Sequence, residues 1–213
     1  MNYTNSISPL VEASMGVNML DIEKFNKIND FDIKNRIARI GTIINEQLVV
    51  RMSRFLSDIY NCPLNRIKNA EITSANNKIT IELCSPGGSA FDSISIYNML
   101  KDALPKEVEV TTVALGFVAS GASLIYCAGS KRFSTRGTRF MLHQPSQPGG
   151  FPVDKDVLEN HREVLASFEE EAYSIYALTT GRKKTQIQKD LYRKDFYLTA
   201  VAALDYGLVT DIM

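Results

Sequence analysis

Histidine is scarce in this 213-residue chain, with two copies, and cysteine appears only three times. Cys62, Cys84 and Cys127 lie far apart, in an odd number and without a CxxC pair. That spacing argues against a disulfide framework and against a thiolate zinc site. Cys84 and Cys127 sit in apolar runs and are expected to be small core residues. Charge of one sign is also missing: 24 basic residues balance 24 acidic ones. No global field therefore draws the chain to nucleic acid or to an acidic membrane surface. No apolar run is long enough to span a bilayer. The opening MNYTNSISPLVEASMGVNML lacks the basic and compact apolar regions of a secretory signal, which gives a cytosolic expectation. Internal repeats, low-complexity tracts and a Walker A phosphate loop are absent too.

What is present suits one domain with a full core, or one domain and an appendage. Hydrophobic residues make up 45% of the chain and charged residues 23%, both ordinary for a globular protein. Residues 1–35 are polar and weakly periodic, and are expected to form a flexible or partner-dependent arm. The domain is expected over residues 36–213. RIARIGTI (Arg36–Ile43) alternates like a short strand. NEQLVVRMSRFLSDIYN places Leu48, Met52, Phe55 and Ile59 at helical spacing. NCPLNRIKNAEITSANN reads as a loop. KITIELCS (Lys78–Ser85) is a β-branched buried strand, broken by Pro86–Gly88. A helix over SAFDSISIYNMLKDAL follows, then a strand over Glu107–Gly116, a short buried helix ending at Gly129, and a strand, turn and strand through RFSTRGTRFMLHQP. The clearest helix runs from an Asp154 cap to about Leu178, before Gly181. Val157, Val164, Leu165, Phe168, Ala172, Ile175 and Tyr176 form its apolar face, opposite Glu159, Arg162, Glu163 and Glu170. Strands alternating with helices give an α/β fold.

Two strand-to-helix junctions stand out, ELCSPGGSAF and VALGFVASGAS. In α/β folds, sites gather at the carboxyl ends of strands. Ser120 stands at such an end, in the positive field of a helix start. Glycine at 88 and 121 lets backbone amides approach a substrate oxygen closely, and two converging donors would form an oxyanion hole. Each feature has a plainer meaning: Ser120 as an N-cap, PGG as a turn, His143 as a hydrogen-bonded structural histidine, Asp195 as a solvated loop acid. GFVASGA is not the GxSxG elbow of the α/β-hydrolases. The residues alone give a plausible Ser120–His143 pair and do not select an acid among 24 carboxylates.

SPGG, GxxAS, MLHQP and KDFYLTAxxALDYGLV, in this order and at these intervals, resemble the proteolytic subunits of the Clp protease (ClpP). DVLENHREVLASFEEEAYSIYALTTG is similar as well, and the resemblance runs from about Ile40 to the C-terminus. It implies a ClpP/crotonase-like α/β fold of repeated β-β-α units, with the helix at about 154–178 as a protruding handle. It implies an ATP-dependent serine endopeptidase with Ser120 as nucleophile, His143 as general base and Asp195 as orienting acid. Gly88 and Gly121 would donate the oxyanion-hole amides, and the arm over residues 1–35 would line an axial pore or contact a partner. The implied partners are a Clp-type AAA+ unfoldase that uses the ATP, unfolded polypeptide substrates and further copies of the chain in stacked heptameric rings. No metal, organic cofactor, nucleic acid or membrane is called for.

The chain departs from the family pattern in places. Gly121 replaces the methionine that commonly follows the nucleophile, the Ser-to-His interval is about two residues shorter, and Asn61–Asn77 looks inserted. Residues 1–35 match poorly, which fits a phage or organellar version. The alternatives are a non-catalytic ClpP-like ring subunit, an acyl-CoA enzyme of the crotonase fold and a phage prohead-type serine protease. Retention of Ser120, His143 and Asp195 disfavours the first. Acyl-CoA enzymes of this fold use glutamates instead, and the histidine of MLHQP separates the chain from Ser–Lys peptidases.

Overall fold

The computed structural model describes residues 30–145 and 155–213, without side chains at 155–158 and 161. The Asp154 cap and most of the expected arm therefore lie outside the described residues. Two short strands open the fold, β1 (Asp30–Asp32) and β2 (Ile37–Ile40), paired antiparallel. The strand pairing thus begins within the segment read as an arm. Helix α1 (Glu46–Tyr60) starts where Asn45 caps it, its side-chain oxygen accepting from the Leu48 amide at 3.1 Å. Leu48, Met52, Phe55 and Leu56 are buried on one face, which matches the 3.6-residue period. Asn61 ends the helix in the left-handed conformation that asparagine tolerates. The loop expected after it contains one 3-10 turn, Leu64–Asn69, pinned by the fully buried Ile67.

Strand β3 (Lys78–Ser85) has the expected bounds. Its buried residues alternate as Ile79, Ile81, Leu83 and Ser85. Cys84 falls between them on the other face and is exposed, contrary to the core position expected for it, whereas Cys127 is buried. A strand's two-residue period decides this, and an apolar neighbourhood in sequence does not. Helix α2 (Ala90–Asn98) continues into a wide π turn, Met99–Ala103. Strand β4 (Glu109–Ala119) runs past the Gly116 at which the sequence places its end. Gly116 has φ +101°, and the strand changes partners there. Before it, Thr111–Ala114 pair in parallel with β5 (Lys131–Ser134); after it, Phe117–Ala119 pair in parallel with β6 (Arg139–Leu142).

Between β4 and β5 lies α3 (Gly121–Tyr126), buried throughout. The long helix α4 (Lys155–Thr180) is followed by α5 (Lys184–Leu191), β7 (Phe196–Thr199), α6 (Ala200–Tyr206) and β8 (Asp211–Ile212). The strands form one sheet in the order β1-β2-β3-β4-β5-β8, parallel from β2 onward, with β6 branching from β4 and β7 antiparallel to β6. The fold is thus mixed α/β. On α4, Ala172, Tyr173, Ile175 and Tyr176 are buried, while Glu159, Arg162, Glu163 and Glu170 face outward as the charge pattern requires. Toward the helix start the apolar face is left open, with Val164 exposed and Leu165 half-buried.

Candidate active site

Four chain segments converge where β3, β4 and β6 end. The first is the β3–α2 turn, where Gly87 and Gly88 have φ of +95° and +157°. The Ile44 amide donates to the Gly87 carbonyl at 2.8 Å, and the Ser89 amide donates to the Ile44 carbonyl at 3.0 Å. A Cβ on Gly87 would lie 2.6 Å from the Ala119 oxygen and 2.7 Å from the Ser120 Cβ. The turn is therefore packed directly on the end of β4, and only glycine allows that approach.

The second segment carries Ser120. Its φ of +52° and ψ of −128° lie outside the ordinary regions for a residue with a side chain. The surrounding structure fixes it at both ends. The Ser120 amide donates to the Met141 carbonyl at 2.8 Å, and the Ser120 carbonyl accepts from the Ser123 hydroxyl at 2.6 Å. Although Ser120 precedes α3, its side chain makes no capping hydrogen bond. The N-cap explanation for this serine therefore fails. The hydroxyl turns instead to Nε2 of His143, 2.7 Å away.

His143 follows β6, and Asp195 precedes β7. Antiparallel pairing of these strands sets Leu142 opposite Phe196, so the next position of each is a neighbour. His143 Nδ1 lies 3.5 Å from Asp195 Oδ1, a longer contact than the one to Ser120. The Asp195 side chain is 52% exposed and that of His143 24%. A serine proton directed at Nε2 requires the other ring nitrogen to carry hydrogen, and that nitrogen faces the carboxylate.

Gly88 and Gly121 line one cavity of about 910 Å³ together with Ser120 and His143. Its walls are apolar and include Phe91 and Phe168, whose rings meet edge to face at 4.2 Å. The two glycine backbones are adjacent, since a Cβ on Gly121 would lie 3.5 Å from the Gly88 oxygen. The same Cβ would lie 2.1 Å from Ser93 Oγ, so the absence of a larger side chain at 121 goes with the presence of Ser93 on α2. Such a site offers a hydroxyl, a ring nitrogen able to take its proton, and backbone donors beside them. Among the described residues, no three His, Cys, Asp or Glu side chains cluster as metal ligands.

Three supporting residues escaped the sequence reading. The Tyr176 hydroxyl lies 2.7 Å from Ser123 Oγ, and Ser123 in turn donates to Ser120. Burial holds the Tyr176 phenol well above its usual value, so it stays a donor. Gln144 joins the Asp195 turn to α4. Its place beside the histidine in MLHQP was the only signal. Ser123 and Tyr176 were indistinguishable from ordinary residues of buried helices.

Residues 33–213 match the family model described as Clp protease. The chain is 28% identical over 209 residues to an ATP-dependent Clp protease proteolytic subunit of Porphyromonas gingivalis, covering 97% of this chain and 85% of that one. It is 31% identical over 173 residues to proteolytic subunit 2 of Borreliella burgdorferi, covering 80% and 84%. Among solved structures, a ClpP1 variant from Listeria monocytogenes superposes with a TM-score of 0.69 at 31% identity, over 85% of this chain and 92% of that one. The mixed sheet with its long helix is accordingly the ClpP/crotonase-like fold, and the identities are those of a divergent member. By family match, by relatives and by architecture, the chain belongs to the Clp protease family as a proteolytic subunit, a hydrolase of peptide bonds.

Proposed function

We propose that this chain is a serine endopeptidase in which Ser120, His143 and Asp195 act as nucleophile, general base and orienting acid. The observation that carries the reading is the 2.7 Å approach of the Ser120 hydroxyl to His143 Nε2, made by a serine held at positive φ. His143 takes the hydroxyl proton as Ser120 attacks the scissile carbonyl, and later gives it to the leaving amine. Asp195 keeps the imidazole in the tautomer with hydrogen on Nδ1 and offsets the positive charge that forms. The amides of Gly88 and Gly121 receive the oxyanion, and each such donor is worth about 10²–10³ in rate. Water then hydrolyses the acyl-enzyme, regenerating the serine. Neither metal nor organic cofactor enters these steps.

Substrates are unfolded polypeptides, delivered by a Clp-type AAA+ unfoldase that spends the ATP. The names of the relatives, ATP-dependent Clp protease proteolytic subunits, support this. Copies of the chain assemble as stacked heptameric rings, with α4 as the handle between them. Reaction with a fluorophosphonate tests the nucleophile. The adduct is expected on Ser120, and His143→Ala is expected to slow labelling at least about a hundredfold, the scale of general-base catalysis. Labelling elsewhere, or at an unchanged rate in His143→Ala, would refute the assignment.

A further inference from the structure

Asp195 stands just outside the β6–β7 ladder and is half exposed, so something must hold it toward His143. On its C-terminal side the ladder does so, through the Leu142–Phe196 pair. On its N-terminal side the chain passes through Arg193, at φ +52°. The Lys194 amide contributes only a long contact of 3.4 Å to the Leu191 carbonyl. The short anchor is different: the Arg193 amide donates to Oε1 of Gln144 at 2.7 Å. Gln144 is the residue next to the histidine.

The Gln144 amide can adopt only one orientation here. Its nitrogen donates to the Glu169 carboxylate and, at 2.9 Å, to the Tyr173 hydroxyl. The Tyr173 hydroxyl itself donates to Glu169. Burial, and then this hydrogen bond, push the Tyr173 phenol up to about 12, so it remains a donor. Rotating the amide would set its oxygen against the Glu169 carboxylate and its nitrogen against the Arg193 backbone donor, losing both of those bonds. Glu169 and Tyr173 lie one turn apart on α4, so the long helix fixes Gln144 and Gln144 fixes the turn.

The geometry points to Gln144 as a positioning residue for the acid, one that ties the His143–Asp195 distance to the seating of α4. The inference rests on the reading of Asp195 as the orienting acid. Gln144 touches neither substrate nor reacting atoms; it acts by holding the Asp195 turn.

The test is a double-mutant cycle on the assembled full chain, read with a short fluorogenic peptide. Gln144→Ala is expected to lower kcat about tenfold, a misplacement-sized effect, with KM little changed. Asp195→Ala should lower it further. Adding Gln144→Ala to Asp195→Ala should then cost nothing more, because the residue acts only through the acid. Exchanging the Gln144 amide and the Glu169 carboxylate gives an independent readout if the alanine variant folds poorly. Gln144→Glu alone sets two carboxylates together and should be impaired; combined with Glu169→Gln it should recover most of the rate. Wild-type kcat in Gln144→Ala overturns the inference. So does a full extra loss in the Asp195→Ala background, or failure of the exchange to rescue. An Asp195→Ala chain with unaltered turnover overturns the acid assignment itself, and this inference with it.

Discussion

At the scale of single residues, the site depends on backbone conformations that ordinary side chains avoid. Ser120 holds φ +52° and Gly87 φ +95°, and the two touch. Gly87→Ala would add a Cβ within 2.8 Å of the Gly121 nitrogen and closer still to Ala119 and Ser120, in a conformation that disfavours any side chain. Strain of this kind costs about 1–3 kcal/mol, and the added atom must push the Ser120 turn away. Since a shift of about 1 Å costs about a hundredfold in rate, peptide turnover should fall by at least that factor and the thermal midpoint should drop. A variant with normal kinetics would mean the two turns are not packed as described. Ser120 and His143 could be paired from sequence, as a serine at a strand-to-helix junction and one of only two histidines, while the ordered set of family motifs supplied their roles. Asp195 could not be singled out among 24 carboxylates without the family resemblance. Its approach to His143 is created by β6–β7 pairing, across a separation that no local pattern encodes. The positive φ of Ser120 was invisible for a related reason: the long-range bond to Met141, together with the local one from Ser123, holds it against the residue's own preference.

At the scale of elements, local periodicity accounts for much of what formed and fails where tertiary pairing takes over. α1 buries Leu48, Met52 and Phe55 as spaced, and β3 keeps the bounds Lys78–Ser85. β4 outruns its expected end because Gly116 bends the strand without ending it, and β6 supplies new partners beyond. Cys84 was misplaced because an apolar run does not state which face each residue takes. Helix packing also has a pH signature. Tyr60 at the end of α1 and Tyr97 in α2 are both pushed up to about 12 by burial. The unfolded chain releases these protons near the ordinary phenol value of about 10, before the folded protein does. Their contribution to stability is therefore complete below about pH 10 and is lost as pH rises toward about 12. Thermal midpoints should fall steadily across that window, and native tyrosinate absorbance should lag that of the denatured chain. Coincident titration of the native and denatured protein would contradict the burial of these rings.

At the scale of the whole molecule, the question is how a lone serine site avoids digesting its surroundings. The cavity that holds Ser120 is lined by α4 along its open, apolar first half, where Val164 is exposed, and Phe91 beside it is 61% exposed. Apolar surface of this kind is costly to leave in water, and the proposed assembly of copies would cover it. In the proposed ring assembly the site would lie inside a chamber, and access would become a matter of chain dimensions rather than of chemistry. In that proposal the energy for unfolding comes from the unfoldase, and the chain itself carries no Walker A sequence. The two functions separate in one experiment. A short fluorogenic peptide should be cut by this chain alone, with no nucleotide, and in light scattering the active species should be far larger than one 23.8 kDa chain. A stably folded reporter should survive under the same conditions and be degraded only when a Clp-type unfoldase and ATP are both added. Ser120→Ala should abolish both activities, since both end at the same hydroxyl. Rapid loss of the folded reporter without partner or ATP would place Ser120 on an open surface. The chamber would then be wrong even with the Ser120–His143–Asp195 chemistry intact, because a site reachable by a folded protein has no need of a ring around it.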